Sequence, residues 1–587
     1  MTRWWPLLRR SRDRKAPDPP SSPAPAPAQP TLPKGFPDWA RLVGASRAWP
    51  QRRPGRRGKV LIATNIGGHG PVSVLESTLA AALALRDAEV EIVLCDAALP
   101  ACLRAEYSDL PDDTVITQGR LPQTFCPTCW GRGQAMFDPL GLKVHRLSAL
   151  ITEADRAEAR RISDEIAADR IDEFELDGLK LGEHARAGAL RYYTRGDLDA
   201  EPNGEAVLRR YLEAAILSAR AYRRLLGDGR FDVALFHHGL YVPQGAVGEV
   251  CRQLGVRVVN WVVAYRTGSF ILSEGDTYHH TLMSEPVSAW EDMAWGPGQR
   301  AEIEAYLKSR WRGDRDWIGF HEKPEEEVDA IVAGLGLDRS RPIIGMLSNV
   351  VWDAQLHYPK NAFPDLIDWA MRTIGYFERR PELQLLLRIH PAEVRGTAPS
   401  RQPLLEEIKR RYPVLPPNVF VIPPDSPVST YAAMALCDSV LIYATKTGVE
   451  LTAVGIPVIV AGEAWIKNKG LTLDAATPEA YFALLDRLPL GRRLESEVVE
   501  RAKKYAFHFF FRRMMPLPFL KQVASNLFFT PDIESADALA PGADKALDLM
   551  CEAILQGLPF IYPAELLGVH DRPAPERVAE AATQGQG

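Results

Sequence analysis

Short apolar runs that end in a polar or glycine-containing turn recur along most of the chain, and a helical pattern follows each of them. The first run, Lys59–Thr64 (KVLIAT), leads into the turn Asn65–Gly70 (NIGGHG) and then into an alanine- and leucine-rich segment. The same order of strand, polar turn, helix and strand returns at residues 231–263. Buried strands that alternate with helices indicate a parallel sheet. We therefore predict a Rossmann-like domain over residues 57–310, with a helical insertion around 150–225.

A second block repeats this pattern. It begins near Arg341 with RPIIGMLSNV, continues through the apolar run Leu385–Ile389 in LQLLLRIHPAE, and closes with DSVLIYATKTGVELTAVGIPVIVAG. We predict a second Rossmann-like domain over residues 311–515 that faces the first across a cleft. Residues 1–56 are predicted to be a largely disordered head and proline-rich linker, and residues 516–587 a tail that packs back on the domains.

Composition and charge narrow the function classes. The 587 residues are 46% hydrophobic and 25% charged, as in an ordinary globular protein, and the formal net charge of −5 offers no overall basic field for nucleic acid. No stretch approaches the roughly 20 apolar residues of a spanning helix, so we expect a cytoplasmic protein. The head mixes tryptophan and leucine with arginine and lysine. This mixture suits the inner surface of the cytoplasmic membrane, and a solvated terminus is the alternative.

A candidate phosphate site lies at the end of the run Leu385–Ile389. A strand there delivers Arg388, His390 and Pro391 to its carboxyl end, with Glu393 close behind. Ligands of open parallel sheets bind at that end, and histidine and arginine can donate to phosphate oxygens. A buried histidine that merely caps the strand is the alternative.

The turn in YATKTGVE is the second half of this candidate site. Thr445, Lys446 and Thr447 supply donors, Gly448 allows a close approach of the backbone, and the carboxylate of Glu450 can accept both hydroxyl groups of a ribose. A helix that begins here would favour a phosphate. Alternatively, Thr447 caps the helix and the glutamate matches the helix dipole, with no ligand at all.

Candidate catalytic groups lie in the first block. His69 in the glycine turn could act as a general base or bind an acceptor sugar, and turn packing is the alternative. The segment SFILSEGDTYHH places Glu274 and Asp276 beyond a probable strand, which makes it a candidate loop for the catalytic carboxylate. A solvated polar loop is an equal alternative.

Four cysteines of the first block raise the question of a metal. Cys95, Cys102, Cys126 and Cys129 have C-x6-C and C-x2-C spacing, and the CPTC pair is followed by GRG, which suits the turn of a zinc knuckle. The first pair is wider than usual, and Cys95 falls on a core strand. We therefore favour reduced packing cysteines over structural zinc, and we expect no required cofactor.

Several of these motifs together resemble the bacterial capsule polysaccharide biosynthesis family, which includes Kdo transferases. They are LRIHPAE, YATKTGVELTAVGIPVIVAG, VVWDA, GDTYHH and the late FFFRR with MPLP, and they span roughly residues 230–520. The resemblance implies a GT-B fold with the donor nucleotide in the second domain and the acceptor mainly in the first. It also implies that His390 and Pro391 lie at the donor phosphate and Glu450 at the ribose.

The predicted function is therefore that of a metal-independent GT-B glycosyltransferase. It would move a sugar from a CMP- or UDP-linked donor to a capsule polysaccharide, another surface glycan or a lipid-linked glycan acceptor. Two alternatives are a nucleotide-sugar 2-epimerase, which needs no acceptor, and a non-catalytic partner in capsule assembly or export.

Overall fold

The computed structural model describes residue 32 and residues 35–310, 315–317, 324–396, 398–523 and 528–569. The predicted membrane-binding head and nearly all of the proline-rich linker lie outside these ranges, as does the end of the tail. Among the residues described, no helix is both long and apolar enough to cross a membrane.

The elements up to residue 310 follow in chain order: α1 Trp39–Gly44, β1 Lys59–Asn65, α2 Gly70–Ala84, β2 Glu89–Leu94, α3 Thr114–Thr117, α4 Leu121–Thr124, α5 Cys126–Phe137, β3 Lys143–Arg146, α6 Glu153–Glu165, β4 Glu175–Leu176, β5 Leu179–Lys180, α7 Gly182–Tyr193, α8 Gly204–Gly229, β6 Val233–His237, α9 Gln244–Gln253, β7 Arg257–Val263, β8 Ser269–Glu274, α10 Tyr278–Ser284, α11 Ser288–Glu291 and α12 Pro297–Arg310.

The later elements are α13 Val328–Leu335, β9 Ile343–Leu347, α14 Leu366–Glu378, β10 Gln384–Arg388, α15 Ala392–Arg395, α16 Leu404–Arg411, β11 Val419–Ile422, α17 Thr430–Ala435, β12 Ser439–Ile442, α18 Thr447–Ala453, β13 Val458–Val460, β14 Leu473–Asp474, α19 Pro478–Leu485, α20 Ser496–Phe507, β15 Met515–Pro516, β16 Leu520–Gln522, β17 Phe529–Pro531, α21 Lys545–Gln556 and α22 Ala564–Leu567.

Both large sheets have the strand order of a Rossmann domain. The first runs β3-β2-β1-β6-β7-β8-β15 and the second β11-β10-β9-β12-β13-β14. Numbered within each sheet, the second reads 3-2-1-4-5-6, the order of a doubly wound nucleotide-binding fold. The first reads the same, with β15 as a seventh strand beside β8. The second sheet is parallel throughout, whereas β8 and β15 are antiparallel to their neighbours in the first. The predicted α/β fold class with two Rossmann-like domains is confirmed.

The apolar runs of the sequence form strands that lie in the cores of the two domains. β6, β9, β10 and β12 are buried at every position, because helices cover both faces of the sheets. The predicted helical insertion contains α6, α7 and the long helix α8.

The first and the last segments that the structure describes pack on the first domain. Trp39 of α1 donates a hydrogen bond from Nε1 to Ser77 Oγ of α2 at 2.9 Å, and the hydroxyl group of Ser46 bonds to Asp537 of the tail. Folded structure therefore begins well before residue 57, the predicted domain boundary, because a tryptophan and a leucine of α1 are buried. In the tail, β15 adds a strand beside β8, and α21 packs against α2.

The carboxyl edges of the two sheets face each other. Tyr265, just after β7, lies under the ammonium group of Lys446, just after β12, with Nζ 4.7 Å from the ring centre. His280 of α10 lies 3.4 Å from Glu463, which follows β13. Helix α20 bridges the domains by packing on both α12 and α18.

Candidate active site

Each sheet has a switch point, where the strand order reverses and where ligands of doubly wound sheets bind. It lies between β9 and β12 in the second domain and between β1 and β6 in the first.

His390 lies directly after β10 beside the second switch point. Its backbone N–H donates to Ser348 Oγ at 3.0 Å, and its Nδ1 accepts the backbone N–H of Ala392 at 3.0 Å. Because Nδ1 is an acceptor, the neutral ring carries its proton on Nε2. Burial, with Lys446 and Arg388 nearby, lowers the pKa of His390 to about 4. The imidazole is therefore a neutral donor held in a fixed orientation.

The turn after β12 lies on the other side of the switch point. Thr445 Oγ1 accepts the backbone N–H of Thr447 at 3.3 Å and lies 3.1 Å from the hydroxyl oxygen of that residue. A Cβ atom on Gly448 would lie 2.6 Å from Ile442 Cδ1. The glycine therefore lets α18 pack against β12, whereas we predicted that it admits a ligand.

Glu450 is engaged by protein groups. Its carboxylate accepts hydrogen bonds from Lys446 Nζ at 2.8 Å and from the Tyr431 hydroxyl group, and it lies 3.0 Å from Arg310 Nε. Although burial raises the pKa of Glu450, Arg310 and Lys446 lower it to about 2. The side chain is 3% exposed. The predicted ribose acid is thus part of a buried ionic cluster that joins α12 to α18.

Arg388 and Glu393 support the loops around His390. The Arg388 guanidinium donates to the backbone carbonyl groups of Pro423 and Ser426, and burial lowers its pKa to about 10. Glu393 accepts the backbone N–H of Leu404 at 3.2 Å, at the start of α16, and burial raises its pKa to about 7. Both side chains are 1% exposed. Pro391 lies in the turn after β10 and directly precedes α15.

The first switch point carries three histidines. His69 precedes α2, His237 ends β6, and His238 follows it with φ +67°, a left-handed conformation that is rare outside glycine. Ring centres lie 5.7 Å apart for His69 and His237 and 5.2 Å apart for His237 and His238. Nδ1 of each ring is buried without a hydrogen-bond partner. Such atoms mark places where a ligand or water binds.

These histidines are neutral because the protein buries them. Burial lowers the pKa of His69 to about 4 and that of His238 to about 3. Behind them, Glu76 of α2 accepts a hydrogen bond from Trp261 Nε1 at 2.9 Å, and burial raises the pKa of this carboxyl group to about 7. The sequence analysis considered His69 but not His237 and His238. The motif FHHG at the end of an apolar run could have indicated these two residues.

The glycine turn after β1 lies against helix α5. A Cβ atom on Gly67 would lie 2.4 Å from the Cα atom of Gly133, and the backbone N–H of Gly68 donates to Cys129 Sγ at 3.1 Å. The glycines of NIGGHG thus permit close helix packing.

The segment after the CPTC cysteines does not form the turn that a zinc knuckle needs. CPTCWGRG forms the start of helix α5, so GRG is helical rather than a turn. All four thiols are free, and burial raises the pKa of Cys95 to about 11. Within the described ranges, no three histidine, cysteine or acidic side chains are grouped so that they could hold a metal ion. The assignment of these cysteines to packing stays a prediction.

Glu274 lies away from the cleft edge, contrary to our expectation. It ends β8, which runs antiparallel to β7, and it pairs with Val259 in the amino-terminal half of β7. Its carboxylate forms an ion pair with Arg257 at 3.2 Å. The reversed direction of β8 carries this residue away from the carboxyl ends of the parallel strands.

Asp276 belongs to a cluster between the domains. It lies 3.2 Å from His280 Nδ1, and the other ring nitrogen of His280 lies 3.4 Å from Glu463. Although burial lowers the pKa of His280, the two carboxylates raise it to about 9. His279 extends the cluster, since its Nε2 lies 3.6 Å from Glu463.

A group of tyrosines connects the two switch points. Tyr241 and Tyr278 lie 5.0 and 5.2 Å from the ring of His238, and Tyr265 lies beside Lys446. Burial, together with the charge of Asp353 in the loop after β9, raises the pKa of Tyr241. Sequence analysis quoted VVWDA as a motif but gave this aspartate no role.

Fold and site together define an α/β protein with two facing Rossmann-like domains, the GT-B arrangement. No family model and no curated protein matches the chain. Among solved structures it is similar to two KpsC proteins of Thermosulfurimonas dismutans. The first is a beta Kdo 2,4 transferase with 13% sequence identity and a TM-score of 0.32, and the match covers 53% of this chain and 88% of the other. The second is a beta Kdo 2,7 transferase with 14% identity and a TM-score of 0.31, and the match covers 55% of this chain and 88% of the other. A UDP-GlcNAc 2-epimerase from Neisseria meningitidis is also similar, with 10% identity and a TM-score of 0.23 over 76% of this chain and 97% of the other. The function proposed below therefore rests on the residues of this chain.

Proposed function

We propose that the protein is a glycosyltransferase that moves a sugar from a nucleotide-sugar donor, CMP- or UDP-linked, to a capsule or other surface glycan. One observation carries the proposal: the two switch points face each other across the cleft. One of them carries groups that can donate hydrogen bonds to a phosphate, and the other is lined by neutral imidazoles. A donor and an acceptor bound at these points would meet in the cleft. Holding two reactants in this way is the main catalytic device available to such an enzyme.

In this proposal the donor phosphate binds between β9 and β12. His390 would donate from Nε2, Thr445 and Thr447 from their hydroxyl groups, and Lys446 would supply positive charge. Asn349, just after β9, adds a buried amide oxygen without a hydrogen-bond partner, which can accept from a nucleotide. Because these residues already supply charge and donors to the leaving phosphate, we propose that transfer needs no metal ion. Activity that survives EDTA is the expected result.

The acceptor binds, in this proposal, at the histidines of the first domain. Neutral imidazoles and tyrosine side chains can bond to sugar hydroxyl groups and pack against sugar rings. The unpaired Nδ1 atoms of His69, His237 and His238 are the groups that an acceptor would satisfy.

Nucleotide binding tests the proposal. Purified protein should be stabilised against heat by CMP, UDP or GDP, since a ligand that binds only the folded state raises its apparent stability. In His390→Ala the affinity should fall about 10- to 100-fold, the effect of losing a hydrogen bond to a charged group. His145→Ala is the matched control, because that histidine lies on edge strand β3 and bonds to Glu91.

Protein that binds none of these nucleotides and turns over no activated sugar would contradict the proposal. Product analysis without acceptor separates transfer from epimerisation. A transferase leaves the donor intact or hydrolyses it slowly, whereas a 2-epimerase returns an altered nucleotide sugar.

A further inference from the structure

A loop of the helical insertion in the first domain contacts the second domain. This loop, residues 194–201, follows α7 and lies against residues 398–404, the segment that leads into α16. We call the contact of these two segments the interdomain clamp. Gln402 Oε1 accepts the backbone N–H of Gly196 at 2.8 Å and that of Asp197 at 3.3 Å, and Gln402 Nε2 donates to the Asp197 carboxylate. Gln402 is 4% exposed, so its bonds are shielded from water.

Arg401 forms the second half of the interdomain clamp. Its backbone N–H donates to the carbonyl group of Thr194 at 3.1 Å. Its guanidinium group forms an ion pair with Glu201, with Nη1 3.0 Å from Oε1, and its Cζ atom lies 3.6 Å from the ring centre of Tyr107. Backbone, ionic and aromatic contacts with the first domain therefore fix the residue next to Gln402 as well.

The clamp is bonded to the turn that carries His390. The backbone N–H of Leu404 donates to the Glu393 carboxylate at 3.2 Å, and that of Ser400 donates to the Glu393 carbonyl group at 2.9 Å. Glu393 donates its own backbone N–H to the carbonyl group of His390 at 3.1 Å. The glutamate is 1% exposed. A shift of residues 398–404 would therefore move the turn that orients the imidazole.

The same loop of the first domain also contacts the segment after β9. A Cβ atom on Gly196 would lie 3.3 Å from Val351, so the two backbones approach closely at the glycine. Asn349, which we place at the nucleotide, precedes Val351 by two positions. The insertion loop thus borders two segments of the second domain on which proposed donor-site residues lie.

We propose that the interdomain clamp is a positioning element for the donor site, an inference that rests on the proposed function. The first domain holds Arg401 and Gln402, and the buried Glu393 passes this constraint to the turn of His390. The clamp itself does not touch the donor. It orders the imidazole before the nucleotide binds, and a group that is already ordered loses less entropy on binding. Gln402 and Asp197 are positioning residues.

The test changes the charge of the clamp at constant size. Gln402→Glu keeps the oxygen that accepts from the backbone but places a carboxylate oxygen against Asp197, and like charges in contact oppose association. The affinity for CMP or UDP, measured by calorimetry, should fall about tenfold. Asp197→Asn in the same chain turns the facing group into a donor, so the double variant should bind within roughly threefold of wild type.

Gln299→Glu is the matched control. Gln299 also accepts a backbone N–H, that of Gly296 at 3.1 Å, and it donates to the carbonyl group of Glu565, outside the clamp. The same change of charge at this position should leave nucleotide affinity within roughly twofold of wild type.

Hydrogen exchange shows whether the constraint extends to the donor site. In Gln402→Glu the backbone N–H groups of Ser400, Leu404 and Glu393 should exchange about tenfold faster, and Asp197→Asn should reverse this change. If Gln402→Glu has no cooperative melting transition, Glu201→Gln tests the clamp from the first domain. It removes the charge that faces Arg401 and should lower nucleotide affinity about threefold.

Each contrary result has its own meaning. Faster exchange at residues 398–404 with nucleotide affinity within roughly twofold of wild type would overturn the inference, because the clamp would then serve the fold alone. An affinity loss that Asp197→Asn does not restore would also overturn it, since the effect would not pass through this contact. If wild-type protein binds neither nucleotide and turns over no activated sugar, the proposed function fails and the inference falls with it.

Discussion

The carboxyl ends of β10 and β12 carry a histidine and a lysine within a network of paired groups, whereas those of β1 and β6 carry histidines with buried, unpaired nitrogen atoms. Both edges come from the same strand order. The second-domain edge resembles a site already organised by its own charges, and the first-domain edge resembles one that is completed by a ligand. Topology thus places both candidate sites, and side chains decide how many polar groups of each are already paired within the protein.

The largest expected effect concerns Glu450. If its carboxylate serves the buried cluster, Glu450→Ala leaves Lys446 without its carboxylate partner and Arg310 with Asp316 alone. The substitution should cost about 3–5 kcal/mol of unfolding free energy, measured by urea denaturation. Glu479→Ala is the control, since this glutamate also lies in a first helical turn but is exposed. A variant that keeps its stability and loses nucleotide affinity would restore the ribose role predicted from sequence.

Gly67→Ala tests whether the glycine turn of the first domain serves helix packing. The added methyl group would meet the backbone of Gly133 at 2.4 Å, so the fold should lose about 1–3 kcal/mol, the usual cost of overpacking. The measurement is the urea midpoint. Gly298→Ala is the control because its Cβ atom would have no neighbour within 4 Å. Unchanged stability with loss of nucleotide binding would contradict the packing role.

The contact between the two edges should depend on pH through His280. Its folded-state pKa of about 9 lies above the ordinary value of 6.5, so the imidazolium stabilises the protein fully below pH 6.5. This contribution is lost as the pH rises through 9, and solvent screening limits it to on the order of 1 kcal/mol. In His280→Gln the loss of stability between pH 6 and pH 10 should be smaller by that amount. Glu463→Gln should give a smaller reduction, because Asp276 still pairs with the imidazolium. An unchanged pH dependence in both variants would be evidence against this interdomain ion pair.

Glu274→Gln should have the smallest effect. The substitution weakens a partly exposed ion pair with Arg257, which is worth at most about 1 kcal/mol, and it lies away from the cleft edge. Nucleotide release from a sugar donor should be unchanged. A large loss of rate at wild-type stability would return this residue to the candidate catalytic groups.

The sequence alone determined the two Rossmann-like domains and the position of His390. Apolar runs of four to seven residues, glycine turns and helical patterns are local signals. Such signals depend on neighbours within a few positions, so they can be read without knowing the fold.

The tertiary structure decided which polar groups are already paired. Arg310 is 140 residues from Glu450, and the direction of β8, which takes Glu274 away from the cleft, depends on pairing with β7. The three unpaired histidine nitrogens and the position of Lys446 over the ring of Tyr265 arise only when distant segments pack together. Sequence could show which side chains are able to bind a phosphate or take a proton. Whether they are occupied by other protein groups depends on long-range contacts that no local pattern records.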